Sequence, residues 1–216
     1  FLTLTSHHDY KLPAHWRNKS WEDVDGRKGQ YLAAVNYVDD FIGKLVDEYR
    51  TAGLLDNTVF LIYGDHGEGF GEHGRFQHDT VIYEEGLRIP MVIYGPSVLG
   101  RTGEVTGARQ QIDILPTVVE LAGGEITGGT PRGRSLLADP IDRVLYHSCW
   151  RAHECLARRH GDDKFIDLYR IGGVHSYDLA ADADEKHDKI SSLASAEADA
   201  LRDEVRTWRA KVLGRY

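Results

Sequence analysis

The sequence contains few of the features that mark a disulfide-rich, membrane-spanning or nucleic-acid-binding protein. Its 216 residues include only two cysteines, Cys149 and Cys155, which are too few for a disulfide framework. No apolar run approaches the roughly 18 residues of a membrane span, and the sequence contains no recognisable signal peptide. Acidic residues outnumber basic ones by 34 to 26, so the net charge of -8 argues against a nucleic-acid partner.

Methionine is nearly absent, and this affects how the first residues are interpreted. The single methionine is Met91, so Phe1 is not an initiator residue, and the chain opens directly on the strand-like segment FLTLT. A natural N-terminus rarely begins inside a buried strand, so we expect the chain to be a piece of a longer polypeptide. The sequence therefore makes no prediction about the cellular location of the whole protein.

The most informative stretch of the sequence runs from Asn57 to Pro90. Within it, Val59 to Tyr63 is a near-continuous apolar run, typical of a strand buried on both faces of a parallel sheet. Asp65 and His66 follow where this strand ends, and open α/β sheets bind ligands at the carboxyl ends of their strands. A carboxylate beside an imidazole can hold a divalent cation; the alternative is that Asp65 caps a turn and His66 is a solvated loop residue.

The N-terminal part of the sequence predicts a strand, a helix and a second strand. Phe1 to Thr5 alternates as a strand does, and Arg27 to Tyr49 carries apolar residues at helical spacing, with Gly53 as a candidate C-terminal cap. A right-handed crossover would make the two strands parallel. His7 and the Asp65-His66 pair would then leave the same edge of one sheet.

The remainder of the sequence predicts mainly helices and short antiparallel strands. A short helix is expected over Thr80 to Glu85, a strand over Arg88 to Tyr94, and a helix over Gln110 to Ala122 with Asp113 as candidate N-cap. Beyond Arg143, turn residues separate four short segments, which predicts an antiparallel meander followed by a helix over Ser191 to Val212. The predicted strands of the meander are Val144 to Ser148, Glu154 to Arg159, Asp163 to Tyr169 and His175 to Leu179.

Several motifs in this order resemble the metal-site segment of the sulfatase branch of the alkaline phosphatase superfamily. They are Gly64-Asp65-His66-Gly67-Glu68, Gly71-Glu72-His73-Gly74, His78, Tyr83-Glu84-Glu85 and Arg88-Ile89-Pro90. The same pattern is similar to phosphoglycerol transferases and enzymes like lipoteichoic acid synthase.

The resemblance implies an α/β fold: part of an alkaline-phosphatase-like sheet flanked by helices, with a small C-terminal antiparallel sheet and helix. Residues 1–140 would form the C-terminal portion of the catalytic domain, and residues 141–216 the α+β subdomain. Lys164, Tyr177 and Glu185 match landmarks of that subdomain.

The same resemblance assigns roles to four side chains. Asp65 and His66 would be metal ligands, and His78 would contact the transferred sulfuryl or phosphoryl group. His7 matches the family's H-x-P-Y segment, with Asp9 where proline is commoner, and would face the substrate. His7 and His78 are therefore candidates for substrate contact or leaving-group protonation, whereas His73 receives no firm role.

One divalent metal ion is the expected cofactor. Formylglycine sulfatases usually hold calcium, whereas a histidine ligand suits manganese, and zinc and magnesium rank below these two. The sulfatase nucleophile is a cysteine converted to formylglycine within C-x-P-S-R, and neither Cys149 nor Cys155 lies in such a motif. We therefore expect the nucleophile to lie in a missing N-terminal half, without which this chain is inactive.

Three functions are compatible with these observations. The first is metal-dependent hydrolysis of a sulfate ester on a small molecule or glycan. The second is a phosphodiesterase or phosphoglycerol transferase of the same fold, acting on a phosphate ester through a serine or threonine nucleophile. The third is a non-catalytic fragment or binding module, which absence of bound metal in the full-length protein would favour.

Overall fold

A computed structural model describes residues 1–16, 26–78, 82–129, 132–149, 155–170 and 172–214. They divide into two compact units, each of which is described by itself. The first unit comprises Phe1–Gly64, Phe70–Glu72 and Pro90–Thr102, and the second comprises Asp65–Gly69, His73–Ile89 and Gly103–Tyr216. Among the described helices, none combines the length and the apolar character that crossing a membrane requires.

The described residues form a mixed set of helices and strands. The helices are α1 (Gly26–Thr51), α2 (Glu84–Leu87), α3 (Ile114–Leu121) and α4 (Ser195–Leu213). The strands are β1 (Phe60–Tyr63), β2 (Gly69–Phe70), β3 (Phe76–Gln77), β4 (Met91–Tyr94), β5 (Val144–Ser148), β6 (Leu156–His160), β7 (Asp163–Leu168) and β8 (Gly173–Asp178).

Helix α1 dominates the first unit and confirms the helix predicted over Arg27 to Tyr49. Its buried residues are Gly29, Ala33 and Ala34. Gly53 adopts a φ of +69°, and its N–H donates to the carbonyl of Arg50. A left-handed glycine just beyond the last turn satisfies carbonyls that the helix leaves unpaired, so the predicted C-terminal cap is present.

The sheet of the first unit differs from the sequence prediction. Strand β1 pairs antiparallel with β4, with Phe60 opposite Tyr94 and Tyr63 opposite Met91, and forms a two-stranded sheet. The prediction of a strand buried on both faces of a parallel sheet is therefore wrong for the described residues. A two-stranded antiparallel ribbon leaves part of its surface to solvent, and Tyr63 is accordingly exposed.

The predicted strand over Phe1 to Thr5 is absent. Phe1 to Leu4 has no regular secondary structure, and Phe1, Leu2 and Leu4 are all exposed. An extended segment becomes a strand only when a neighbouring strand pairs with its N–H and C=O groups, and no described strand does so here. The parallel strand–helix–strand unit that was expected from the sequence is consequently not formed.

The second unit contains the antiparallel meander that the sequence predicts. Strands β5, β6, β7 and β8 pair in chain order, all antiparallel. Helix α4 packs on this sheet through Val205, Leu201 and Trp208, and the Trp208 ring stacks on Tyr146 at 5.1 Å between centroids. The predicted C-terminal helix is confirmed, although it begins at Ser195 and not at Ser191.

Two further features of the second unit were less well predicted. The first two residues of the helix expected over Thr80 to Glu85 lie outside the described residues, and α2 covers Glu84–Leu87. Cys149 and Cys155 form a disulfide between the end of β5 and the start of β6. The sequence did not predict this pairing, because two cysteines alone give no disulfide framework.

Asp113 occupies the predicted N-cap position of α3, but its side chain makes no capping hydrogen bond to that helix and lies at the centre of a buried polar arrangement. Its carboxylate accepts hydrogen bonds from the N–H groups of Gln110 and Arg134 and from the guanidinium of Arg143. The side chain is fully buried. Burial would raise the pKa of Asp113, but these hydrogen bonds outweigh it and lower the pKa below its ordinary value.

Replacing this aspartate should destabilise the second unit strongly. Asp113→Ala leaves the buried Arg143 guanidinium without its counter-ion, which should cost about 3–5 kcal/mol of unfolding free energy. Urea denaturation measures the loss, with Asp142→Ala at an exposed carboxylate as the matched control. A loss equal to that of the control would contradict the structural role of Asp113.

Acid should remove the same contribution from the wild-type protein. Because folding lowers the pKa of Asp113, its stabilisation is complete above about pH 3.9 and is lost as pH falls through the lowered value. The difference in stability between wild type and Asp113→Ala should therefore shrink at low pH.

Candidate functional site

Asp65 and His66 lie side by side in a turn of the second unit. The N–H of His66 donates to Oδ1 of Asp65 at 3.1 Å, and Nε2 of His66 lies 3.7 Å from Oδ2 of Asp65. The other ring nitrogen, Nδ1, contacts the carbonyl of Gly67 at 2.8 Å. A carbonyl only accepts hydrogen bonds, so Nδ1 carries the proton and Nε2 presents its lone pair.

This geometry is compatible with two ligands of one divalent cation. Histidine ligands usually donate their second ring N–H to a carbonyl or carboxylate, as His66 does to Gly67. Donor atoms at about 2.0–2.2 Å from one metal can be up to about 4.2 Å apart, a range that includes the Nε2–Oδ2 separation. Among the described residues, no group of three or more His, Cys, Asp and Glu side chains is arranged to hold a metal. Asp65 and His66 thus fit a ligand set as two of its members.

His78 lies directly beside this pair. Its ring stacks on His66 with 4.1 Å between centroids, and its Nδ1 lies 3.4 Å from Oε1 of Glu68. The Glu68 side chain is only 5% exposed, so few positions are open to its carboxylate. The structure thus brings together three residues that the sequence singled out, Asp65, His66 and His78. It adds Glu68, which the sequence analysis did not identify although it belongs to the same Gly-Asp-His-Gly-Glu motif.

His7 belongs to the first unit and lies in a different local setting. It lines an open cavity of about 420 Å³ together with Leu4, His8, Asp9 and Lys11, and its ring lies 4.2 Å from that of His8. Asp9 adopts a φ of +76°, which a proline ring cannot reach. The backbone at this position therefore has a conformation that the proline of H-x-P-Y could not adopt. That His7 faces the substrate stays a prediction.

Gly67, between His66 and Glu68, packs against the backbone of α2. Its N–H donates to the carbonyl of Gly86 at 2.9 Å. A Cβ on Gly67 would lie 2.0 Å from the carbonyl oxygen of Glu85, far inside contact distance. Only glycine permits this approach, which makes α2 the support of the Asp65-His66 turn.

The side chains of α2 enter a group of charged residues that includes Arg159 of β6 and Lys164 of β7. Nζ of Lys164, which is fully buried, lies 2.9 Å from Oε1 of Glu84 and 2.8 Å from Oε1 of Glu185. The other Glu185 oxygen accepts the N–H of Glu84 at 2.6 Å, and Arg159 approaches Glu84 at 3.4 Å. We call this group the ion cluster; its members are His73, Glu84, Glu85, Arg159, Lys164 and Glu185.

His73, in the Gly71-Glu72-His73-Gly74 motif, contacts two other members of the ion cluster. Its Nδ1 lies 2.9 Å from Oε1 of Glu85, and its Nε2 lies 3.0 Å from the backbone carbonyl of Glu185. The ring also stacks on Tyr83 at 3.8 Å between centroids, almost parallel to it. The sequence left His73 without a role because its partner Glu185 lies more than a hundred residues along the chain. In the sequence, His73 and Glu185 were marked only by their match to motifs of the family.

Comparison with known proteins supports the resemblance seen in the motifs. A sequence model of the family described as Sulfatase matches residues 1–124. The chain is 32% identical to N-acetylglucosamine-6-O-sulfatase of Bacteroides thetaiotaomicron over 171 residues, which are 72% of this chain and 30% of that protein. It is also 28% identical to lipoteichoic acid synthase 1 of Bacillus subtilis over 130 residues, 56% of this chain and 20% of that protein.

A solved structure of a protein in complex with its substrate D-glucosamine-2-N,6-O-disulfate resembles this chain over most of its length. The TM-score is 0.65 at 26% identity, and the match covers 90% of this chain and 44% of that one. The chain spans less than half the length of each of these three proteins. The similarity confirms the predicted alkaline-phosphatase-like α/β fold. The family model covers more than half of the chain, and the chain therefore belongs to the sulfatase family of the alkaline phosphatase superfamily.

Proposed function

We propose that this chain is the C-terminal part of an enzyme that hydrolyses sulfate esters with the help of one divalent cation. The observation that carries the proposal is the arrangement of Asp65 and His66, whose Oδ2 and Nε2 lie 3.7 Å apart with His78 stacked on the His66 ring. A ligand pair and a neighbouring imidazole are what hydrolysis at a sulfuryl centre requires of this part of the site.

Each of these residues has a separate task in the proposed reaction. Asp65 and His66 hold the cation, calcium or manganese, which when bound supplies positive charge to the sulfuryl oxygens. His78 contacts the sulfuryl group or protonates the leaving oxygen, and His7 is the other candidate for that task. Glu68 orients the His78 ring through Nδ1. The nucleophile, a formylglycine, and the other metal ligands lie in an N-terminal half that is not part of this chain.

The proposed substrate is a sulfated sugar. Support comes from the similarity to an N-acetylglucosamine-6-O-sulfatase and to a structure that holds a glucosamine disulfate. In this proposal residues 1–140 belong to the catalytic domain, and residues 141–216 form a subdomain that supports it.

A phosphate ester is the second candidate substrate, favoured by the similarity to lipoteichoic acid synthase 1. Parallel assays of the full-length enzyme on 4-nitrophenyl sulfate and bis(4-nitrophenyl) phosphate separate the two. Faster turnover of the phosphodiester would replace the sulfatase proposal by this alternative.

Substitutions at the metal ligands and at His78 should have different consequences in the full-length enzyme. Asp65→Asn and His66→Gln should lose bound metal and activity together, because each removes a ligand. His78→Gln should keep the metal but lower kcat about 100-fold or more, because it removes a group that acts on the substrate. Metal content by atomic emission and turnover of 4-nitrophenyl sulfate measure both.

The exposed His160 provides the matched control, since its ring pairs with the exposed Asp142. His160→Gln should change neither metal content nor kcat. Loss of metal in His78→Gln equal to that in His66→Gln would make His78 a ligand and contradict its assigned role.

Adding one methyl group at Gly67 should displace the turn that carries the metal ligands. Gly67→Ala puts Cβ against the Glu85 carbonyl at 2.0 Å, so the turn must move, and metal affinity should fall at least about tenfold. Gly43→Ala, on α1 with no atom within 4 Å of the new Cβ, is the matched control and should stabilise the helix slightly. Unchanged metal affinity in Gly67→Ala would show that the close approach does not constrain the site.

This chain purified without any other polypeptide should not turn over 4-nitrophenyl sulfate, because the proposed nucleophile is absent from it. Measurable turnover above that of a His78→Gln variant of the same chain would show that the catalytic groups are complete within these residues.

A further inference from the structure

His73 is bound in a way that requires both of its ring nitrogens to carry protons. Nδ1 faces a carboxylate oxygen of Glu85, and Nε2 faces the backbone carbonyl of Glu185. Both partners are acceptors only, so each nitrogen must donate, and only the imidazolium has two N–H donors. A neutral ring would lose one of the two bonds.

The charges of the ion cluster lead to the same protonation state. Its carboxylates are Glu84, Glu85 and Glu185, and its permanent cations are Lys164 and Arg159, the second of which also pairs with the exposed Asp162. Arg75 acts on the Tyr83 ring that stacks on His73. Among the six members of the ion cluster, the three carboxylates exceed the two permanent cations by one charge, which a protonated His73 offsets. Because an uncompensated charge in a largely buried group is costly, this balance favours the imidazolium.

Other titratable groups face the cluster from the surrounding elements. His147 on β5 is desolvated, and with the nearby positive charge of Lys164 this lowers its pKa to about 4, so it is neutral. Tyr83 and Tyr177 both have raised pKa values, mainly through burial, and keep their protons. Burial raises the pKa of Glu185 while Lys164 opposes that shift, and both oxygens of Glu185 face donors.

The pKa of His73 itself is raised. Desolvation would lower it, but the hydrogen bonds to Glu85 and Glu185 outweigh that effect. The protonated form is therefore favoured by folding. Its stabilising contribution is complete below the ordinary histidine pKa, about 6.5, and is lost as pH rises through the raised value.

Both ends of the His73–Glu185 contact have an unusual backbone. His73 has a φ of +52° and Glu185 a φ of +53°, a left-handed conformation that few residues other than glycine adopt. Such strain persists only where surrounding contacts hold it in place. Here those contacts are the bonds of the ion cluster.

A short path connects the ion cluster to the proposed catalytic groups. Glu84 and Glu85 belong to α2, and the carbonyls of Glu85 and Gly86 contact Gly67. Gly67 is flanked by His66 and Glu68, and the latter contacts His78. A change in the position of α2 therefore reaches the turn through backbone contacts that leave no room for adjustment.

We propose that His73 is a positioning residue whose doubly donating imidazolium, held by Glu85 and the Glu185 carbonyl, fixes α2 and thereby the turn that carries Asp65, His66 and Glu68. Deprotonation of His73 releases one of the two bonds, loosens the turn and sets an alkaline limit on activity. The link to activity depends on the function proposed above, but the link to the turn does not.

Hydrogen exchange of the full-length protein tests the link to the turn. In the wild type, amides of the 65–70 segment, corrected for intrinsic rates, should exchange about tenfold faster at about pH 9 than at about pH 6. His73→Gln keeps one donor and cannot titrate, so this segment should exchange fast at both pH values. His160→Gln, at an exposed His–Asp pair, should behave as wild type.

A second variant tests the charge, and it does not remove the histidine. Glu85→Gln preserves size and can still accept from Nδ1, but it removes the negative charge that favours the imidazolium. The pH midpoint of the exchange transition should move downward. A downward shift distinguishes a contact that depends on the protonation of His73 from a general loss of stability. A general loss of stability would change the exchange rates without moving the pH midpoint of the transition.

Activity provides an independent reading. In the wild type, kcat on 4-nitrophenyl sulfate should fall as pH rises through the exchange midpoint, and in His73→Gln it should be lower and lack this fall. Wild-type protection of the 65–70 segment in His73→Gln would overturn the positioning role, whatever the activity. If the wild-type enzyme does not hydrolyse the sulfate ester, the proposed function fails and the exchange result still decides the role of His73.

Discussion

The structure of the candidate site depends on the burial of one ammonium group between two carboxylates. Lys164 is fully buried and is held by Glu84 and Glu185, which come from different parts of the chain. Removing an ammonium from water costs several kcal/mol unless counter-charges surround it. Folding of the C-terminal sheet therefore requires Glu84 and Glu185 to be in place, and Glu84 brings α2 with it. The turn that carries Asp65 and His66 rests on that helix through Gly67.

Gly67 determines both the position of the turn and the hydrogen bonding of the neighbouring His66. Gly67 lets the backbone of the turn touch the backbone of α2, at a distance that excludes any side chain. The Gly67 carbonyl also accepts a hydrogen bond from the Nδ1–H of His66, which leaves Nε2 directed toward Asp65. One residue thus sets both the position of the turn and the tautomer of the candidate ligand His66 beside it. Because Gly67 has both roles, the tripeptide Asp-His-Gly indicates a site, whereas the dipeptide Asp-His alone does not.

The outcome of the sequence predictions follows from the range of the interactions involved. Helix α1 and the four-stranded meander were predicted because their hydrophobic periods and turn residues are local properties of the chain. The prediction of a strand over Phe1 to Thr5 was wrong because a strand forms only when a second strand pairs with it. A local sequence pattern does not guarantee that second strand. The pairing of β1 with β4 was missed for the same reason. For the site, Asp65, His66 and His78 came from one motif, whereas Glu68 and the contacts of His73 were found only in three dimensions.

The sequence by itself determined the family, helix α1, the C-terminal meander and the identity of the candidate ligands, because these depend on residue types at short and fixed spacings. Only the tertiary structure decided which charges neutralise one another. His73 meets Glu185, and Lys164 meets Glu84, across separations of 112 and 80 residues. Such pairings depend on how the chain returns to itself, and the driving force for them, the cost of leaving a buried charge unpaired, exists only after the surrounding core has formed.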